Sequence, residues 1–257
     1  MEEFKKIKQI SLYQDQVLKI ILNHPKGNVI DIEMMSEINH VLQHHAMSRS
    51  VKAIIFQGEG KHFSFGASVQ EHQKEKVREM LYTFHQLFRN LILTYRPTFA
   101  LVQGQCLGGG MELASFCHWL FAAEDTNFGQ PEMNLGVFPP VASLILPSII
   151  GQQAADDLIL TGRTLSAREA KEIGLVYSIS PDPEKELLQF LENTILPKSA
   201  IALQFAVKAS RYEMYRVFLE NLESLEKWYL KELMETNDAN EGIRAFIEKR
   251  KPIWKNC

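Results

Sequence analysis

Two glutamates stand out as chemistry-bearing residues: Glu112, just after the glycine run Gly108-Gly109-Gly110, and Glu132, after Gln130-Pro131. Two carboxyl groups brought together push their pKa values apart, so one can act as an acid while the other acts as a base. The apolar run Thr98 to Val102 (TFALV) ahead of the glycines reads as a buried strand. Glycines after a strand let the backbone turn sharply and come close to a ligand, because no Cβ intervenes. The run Met111 to Cys117 (MELASFC) is helix-prone, so the unpaired N–H groups of its first turn point back at the glycine turn. Such groups stabilise an oxygen that gains negative charge. Singly, each part has an ordinary reading: a chain reversal, a residue suited to the helix dipole, a helix start after proline. Their combination is what points to chemistry.

A second junction repeats the logic upstream. Val51 to Phe56 (VKAIIF) reads as a strand, Gln57-Gly58-Glu59-Gly60 as a turn, and Lys61 to Ser68 follows. Ser68 and Glu71 have capping-box spacing, which predicts a helix from about Val69. The Ala67 N–H then sits at a helix entrance beside Gly66. Two strand-to-helix junctions thus each offer one backbone donor, the arrangement that enolate chemistry on a carbonyl needs.

These segments resemble the crotonase (enoyl-CoA hydratase/isomerase) superfamily along nearly the whole chain. The matching stretches are His62 to Ala67 (HFSFGA), Val102 to Ala114 (VQGQCLGGGMELA), Phe128 to Gly136 (FGQPEMNLG), Leu160 to Arg163 (LTGR), Ala167 to Val176 (AREAKEIGLV) and Glu241 to Pro252 (EGIRAFIEKRKP). The resemblance implies that Ala67 and Gly109 supply the two oxyanion-hole N–H groups for a coenzyme A thioester carbonyl. It places Glu112 and Glu132 on the two positions that the family's hydratases use as catalytic glutamates. It further implies substrate contacts at Gly66, Ala67, Ser68, Val69, Gln70, Gly108, Gly109, Phe138 and Lys26, with Phe246, Lys249 and Lys251 near the coenzyme A nucleotide. The implied fold is α/β, a crotonase-like spiral of ββα repeats with a C-terminal helical trimerisation region. The implied assembly is a homotrimer or a hexamer made as a dimer of trimers.

The chain departs from ordinary hydratases after the second glutamate. A glycine-rich stretch is replaced by Leu135 to Ser143 (LGVFPPVAS), where two prolines fix φ and remove N–H donors and Phe138 adds a ring. The wall near the acyl group should therefore differ in shape. Ser68 replaces the usual acidic residue after the first oxyanion alanine. Gly66 to His72 (GASVQEH) together with Phe138-Pro139-Pro140 resembles a subgroup, the cyclohexa-1,5-diene-1-carbonyl-CoA hydratases of anaerobic benzoyl-CoA degradation. The expected reaction is hydration of an α,β-unsaturated acyl-CoA, with that cyclic dienoyl thioester as substrate. Hydration of linear enoyl-CoA, isomerisation or decarboxylation, and non-catalytic acyl-CoA binding are the alternatives.

The elements that must position these residues are legible in outline. Val17 to Asn23 reads as a strand, and Asp31 is the expected N-cap of a helix to about Met47. A long helical stretch is expected over Glu71 to Thr94, strands at Thr98 to Val102 and around Trp119 to Ala123, and helices over Ser148 to Leu160 and Ser166 to Ile173. From about Pro197 the texture is helical only, over Ser199 to Glu235 and Asn240 to Lys249. Residues 1–196 are therefore expected to form the ββα core and 197–257 a helical region that builds the oligomer and covers the site.

With 257 residues, a formal charge of −3 and a pI near 6.3, the chain offers little to nucleic acid. The opening MEEFKKIKQI has no signal-peptide core and no run is long enough to span a membrane, so a cytoplasmic protein is expected. Cys106, Cys117 and Cys257 imply no disulfide framework, and Cys106 reads as a packing residue. His40, His44 and His45 share a helix without a zincin glutamate, so no metal is expected. Gly104 to Gly109 has Cys106 where a dinucleotide loop needs its second glycine, which argues against NAD. No cofactor is expected beyond the coenzyme A of the substrate.

Overall fold

Val17–Leu22 (VLKIIL) is apolar at every position but one, and in the computed structural model, which describes residues 3–257, all six of its residues are buried. A strand covered on both faces needs no polar alternation. Its one charged residue, Lys19, places its ammonium 2.5 Å from Glu184. Residues 1 and 2 of the expected 1–196 core lie outside the described residues.

In chain order the first elements are β1 (Ile7–Leu12), β2 (Val17–Leu22), α1 (Ile32–His44), β3 (Ala53–Gly58), α2 (Val77–Thr94) and β4 (Thr98–Val102). There follow β5 (Gln105–Leu107), α3 (Gly109–Phe116), β6 (Trp119–Ala123), β7 (Asn127–Gly129), α4 (Pro140–Ile150) and α5 (Gln152–Thr161). Then come β8 (Thr164–Ser166), α6 (Ala167–Glu172), β9 (Ser178–Ser180) and α7 (Pro183–Phe190). Helices α8 (Ala200–Ser210), α9 (Tyr212–Lys231) and α10 (Asn237–Ile247) close the chain.

One sheet runs β1-β2-β3-β4-β6-β9, antiparallel between β1 and β2 and parallel elsewhere; β5, β7 and β8 form a second. Two strands repeatedly hand over to a helix, as in β1-β2-α1, β4-β5-α3 and β6-β7-α4. This is the expected spiral of ββα units. Because side chains alternate across a strand, the large sheet fills two layers. Ile20, Ile54, Phe56, Ala100 and Val102 face the main core, while Val17, Ile55, Phe99, Leu101 and Phe121 pack with Leu187 and Leu191 on the other side. Among the described residues no helix is long and apolar enough to cross a membrane.

Three boundaries differ from the sequence reading. The helix expected from Val69, and the stretch Glu71 to Thr94, resolve into a short 3-10 turn, Val69–His72, and then α2 from Val77. Ser68 makes no capping bond, and the Glu71 carboxylate accepts from the Ile32 N–H at 3.0 Å, so it serves α1 instead. Asp31 caps α1 as expected, accepting from Met34 at 2.9 Å. The helix expected over 148–160 is two helices, because α4 starts at Pro140 and Gly151, at φ +79°, separates it from α5. Proline at a first helical position sacrifices an N–H that has no partner there anyway. The short strands β5, β7, β8 and β9 leave no signal in the sequence, because three residues carry no measurable period.

The C-terminal helices pack onto this frame. Phe218, Leu222 and Tyr229 of α9 are buried in the main core. Helix α10 lies against the 3-10 turn Pro131–Leu135, and Gly242 makes the contact: a Cβ there would lie 2.1 Å from the Leu135 carbonyl oxygen. Buried Glu241 anchors the tail, accepting from Arg250 at 2.5 and 2.9 Å, from Arg244 at 2.5 Å and from the Ile253 N–H at 3.0 Å. Gly242→Ala is expected to lower stability by about 1–3 kcal/mol through overpacking, read as a fall in thermal midpoint. A midpoint equal to that of the unaltered protein would show that α10 does not press on this turn.

Candidate active site

Ala67 and Gly109 reach the same point from different segments. The stretch 61–68 runs beside β5, with the Ser64 N–H donating to Gln105 and the Leu107 N–H to Ser64, both at 3.0 Å. Next, the Ile30 N–H donates to Gly66 at 2.9 Å and the Ser68 N–H to Ile30 at 3.1 Å. This pairing passes over Ala67, whose N–H finds no acceptor among the described residues. Gly66 sits at φ +100°, and a Cβ there would lie 2.9 Å from the Leu107 carbonyl oxygen. Buried Ser64 braces the loop, its Oγ donating to Asn28 at 2.7 Å and accepting from the Gly66 N–H at 3.0 Å.

Gly109 opens α3, so its N–H belongs to the first turn and has no intrahelical acceptor. No other group among the described residues accepts from it. A Cβ on Gly109 would lie 3.3 Å from the Ala67 nitrogen and 3.1 Å from the Phe84 ring. The two unpaired N–H groups are therefore neighbours, and the missing side chain keeps the space beside them open.

Glu112 lies one turn further along α3 and is only 3% exposed. Its Oε1 accepts from the Ala142 N–H at 2.9 Å, at the start of α4. The prolines Pro139 and Pro140 remove donors, as the sequence implied, but they also start the helix whose next two N–H groups face this carboxylate. Burial raises the Glu112 pKa to about 7, while the Val141 and Ala142 N–H groups pull the other way. Glu132 comes from the Pro131–Leu135 turn. Burial first, and then repulsion from Glu112, hold its pKa well above the ordinary carboxylate range. Buried Gln130 sets its side-chain amide directly against the Glu132 carboxyl.

Ala67, Gly109, Glu112 and Glu132 all line one inner cavity of about 20 Å³, room for a single water. Met80, Leu81, Phe84, Phe138, Pro139 and Pro140 make its apolar wall. An outer cavity of about 550 Å³ shares Ala67, His72 and Glu132 with it and is lined by Gly66, Val69, Gln70, Gly108 and Phe246, all expected substrate contacts. Four expected contacts fall elsewhere. Ser68 is buried, but its N–H and Oγ are spent on Ile30 and Gln70. Lys26 lies in a surface groove with His24, Glu59 and Lys61. Lys249 and Lys251 are exposed and line neither cavity, and Arg250 between them lines the outer one instead.

Several lining residues were not picked out from the sequence. His72 borders both cavities; its ring pairs through Nδ1 with the Ser68 carbonyl at 2.8 Å, and burial holds its pKa down. It is therefore neutral, with Nδ1 donating and Nε2 an acceptor. Its place two residues after Gln70 was the available signal. Tyr229, far away in the sequence on α9, gave none. The assembled site can hold an oxyanion on two N–H groups while two carboxyls of unlike protonation move a proton beside it.

A sequence profile of the enoyl-CoA hydratase/isomerase family matches residues 13–257. The chain is 41% identical over 240 residues, 93% of each chain, to cyclohexa-1,5-dienecarbonyl-CoA hydratase of Thauera aromatica. It is 32% identical to the mitochondrial enoyl-CoA hydratase of Pongo abelii, covering 92% of this chain and 83% of that one. Among solved structures, an enoyl-CoA hydratase/isomerase from Xanthobacter autotrophicus Py2 superposes with a TM-score of 0.84 at 29% identity, covering 96% of this chain and 98% of that one.

A carboxyl whose pKa is raised by folding favours the native state when protonated. The stability Glu112 contributes is thus present at low pH and is lost as pH rises from about 4.5 through about 7. Thermal midpoints of Glu112→Gln and the unaltered protein should therefore diverge in favour of the variant between pH 4 and pH 8. A constant difference across that range would show that Glu112 does not titrate anomalously.

Proposed function

The chain belongs to the enoyl-CoA hydratase/isomerase family, and from that premise we propose that it adds water to a compact, cyclic dienoyl coenzyme A thioester. One observation carries the reading: two carboxyls, Glu112 buried and Glu132 half-buried, face a water-sized cavity beside two unpaired N–H groups. The thioester oxygen rests on the Ala67 and Gly109 N–H groups, which stabilise it as charge arrives during addition. Each such donor is worth about 2.7–4 kcal/mol of barrier. Glu112, ionised against the Val141 and Ala142 N–H groups, takes a proton from the water as its oxygen bonds to the unsaturated carbon. Glu132, which holds its proton more tightly, delivers one to carbon. The scheme uses no metal or redox group.

The substrate class rests on the wall and on the relatives. The 41% identical protein is named for a cyclic dienoyl thioester, and here Phe138, Pro139 and Pro140 close the inner cavity where an extended chain would have to continue. The coenzyme A portion lies in the outer cavity against Phe246 and Arg250. Exposed Ile201, Phe205, Tyr212 and Trp228 on α8 and α9 supply an apolar surface for the homotrimer, alone or paired into a hexamer, of a cytoplasmic enzyme.

Incubation with the cyclic dienoyl thioester in heavy-oxygen water should give a product heavier by one labelled water. An unchanged mass with a shifted double bond would replace hydration by isomerisation. Glu132→Gln should lower the rate about 100-fold or more. Phe138→Ala should raise turnover of linear crotonyl-CoA relative to the cyclic substrate; an unaltered ratio would discard the wall as the source of selectivity.

A further inference from the structure

Tyr229 is 1% exposed, and its hydroxyl has no hydrogen-bond partner among the described residues. Leaving a buried hydroxyl unpaired is costly, because its desolvation is not made good. A phenylalanine would pack as well against Phe138, whose ring meets that of Tyr229 edge-on at 5.4 Å. Unpaired polar atoms are also buried at His85, Ser115 and His118, but none of these lines either the inner or the outer cavity. Tyr229 lines the inner one together with Glu112 and Glu132. Burial, and then the two carboxylates, hold its phenol well above the usual tyrosine range, so it stays protonated and able to donate.

A donor in that position needs an acceptor that arrives with the reaction. The thioester oxygen already has the Ala67 and Gly109 N–H groups, and the remainder of a dienoyl ring is hydrocarbon. The one further oxygen is that of the water, which becomes the hydroxyl of the product. Resting on the hydratase reading above, we propose that the Tyr229 hydroxyl is a third holder of the reacting oxygen, donating to the water before addition and to the carbon-bound hydroxyl after it. Tyr229 thereby distinguishes a hydroxyacyl thioester from its unsaturated or saturated counterpart.

Tyr229→Phe keeps the ring, so the test is one of function. Calorimetric binding of the hydroxyacyl-CoA should weaken roughly 3- to 10-fold, while binding of the saturated acyl-CoA with the same skeleton stays unchanged. In steady-state hydration kcat should fall with KM for the unsaturated thioester unaltered, and the thermal midpoint should hold or rise. Equal weakening of both ligands, or of neither, would overturn the proposal and leave Tyr229 a packing residue. If the unaltered enzyme fails to hydrate any enoyl thioester, the hydratase reading falls and takes the reaction role of Tyr229 with it. Hydration that proceeds without the binding split removes the Tyr229 proposal alone.

Discussion

Two carboxyl groups enclosed in one cavity repel each other and lose their hydration, and the architecture around them answers both costs. An ionised carboxylate away from water is tolerated only where hydrogen-bond donors replace the solvent. The start of α4 provides those donors to Glu112 through the N–H groups of Val141 and Ala142. Glu132 has the side-chain amide of Gln130 and no helix terminus aimed at it. The asymmetry separates the two groups into one that carries charge more readily and one that keeps its proton.

Holding that pair requires elements from distant parts of the chain to stop within ångströms of each other. The ββα repeat achieves this by delivering successive strand ends to one side. β5 brings the Gly108–Gly110 turn, and the parallel partner β7 brings Gln130 and Glu132. The loop carrying Ala67 is stitched to β5 at Ser64 and to Ile30 just beyond. Backbone pairing, and not side-chain packing, sets the two unpaired N–H groups of Ala67 and Gly109, which suits any task where a small displacement would be felt at once.

The C-terminal helices then finish what the repeats begin. α10 braces the turn that carries Glu132, through a contact so close that only glycine fits at position 242. α9 inserts Tyr229 into the cavity wall and seals it against Phe138. The inner space is consequently small, with polar and apolar groups side by side, and it shares Ala67, His72 and Glu132 with the larger cavity.

Much of this was legible from local pattern. Glycine runs after apolar strands, capping residues such as Asp31 and Ser166, and the spacing of Glu112 and Glu132 are local chemistry, and so they could be read directly. Three-residue strands were invisible, because pairing rather than periodicity makes them. Glu71 has capping-box spacing from Ser68 but turns instead to the Ile32 N–H, a choice that only the folded chain makes. The place of Tyr229 was likewise decided only by folding, since nothing local marks a side chain whose cavity neighbours Phe138, Glu132 and Glu112 lie so far back along the chain. Sequence determined which groups could do the chemistry; the packing of α4, α9 and α10 around them determined their protonation and how much room the reaction has, because burial and long-range contact exist only in the folded chain.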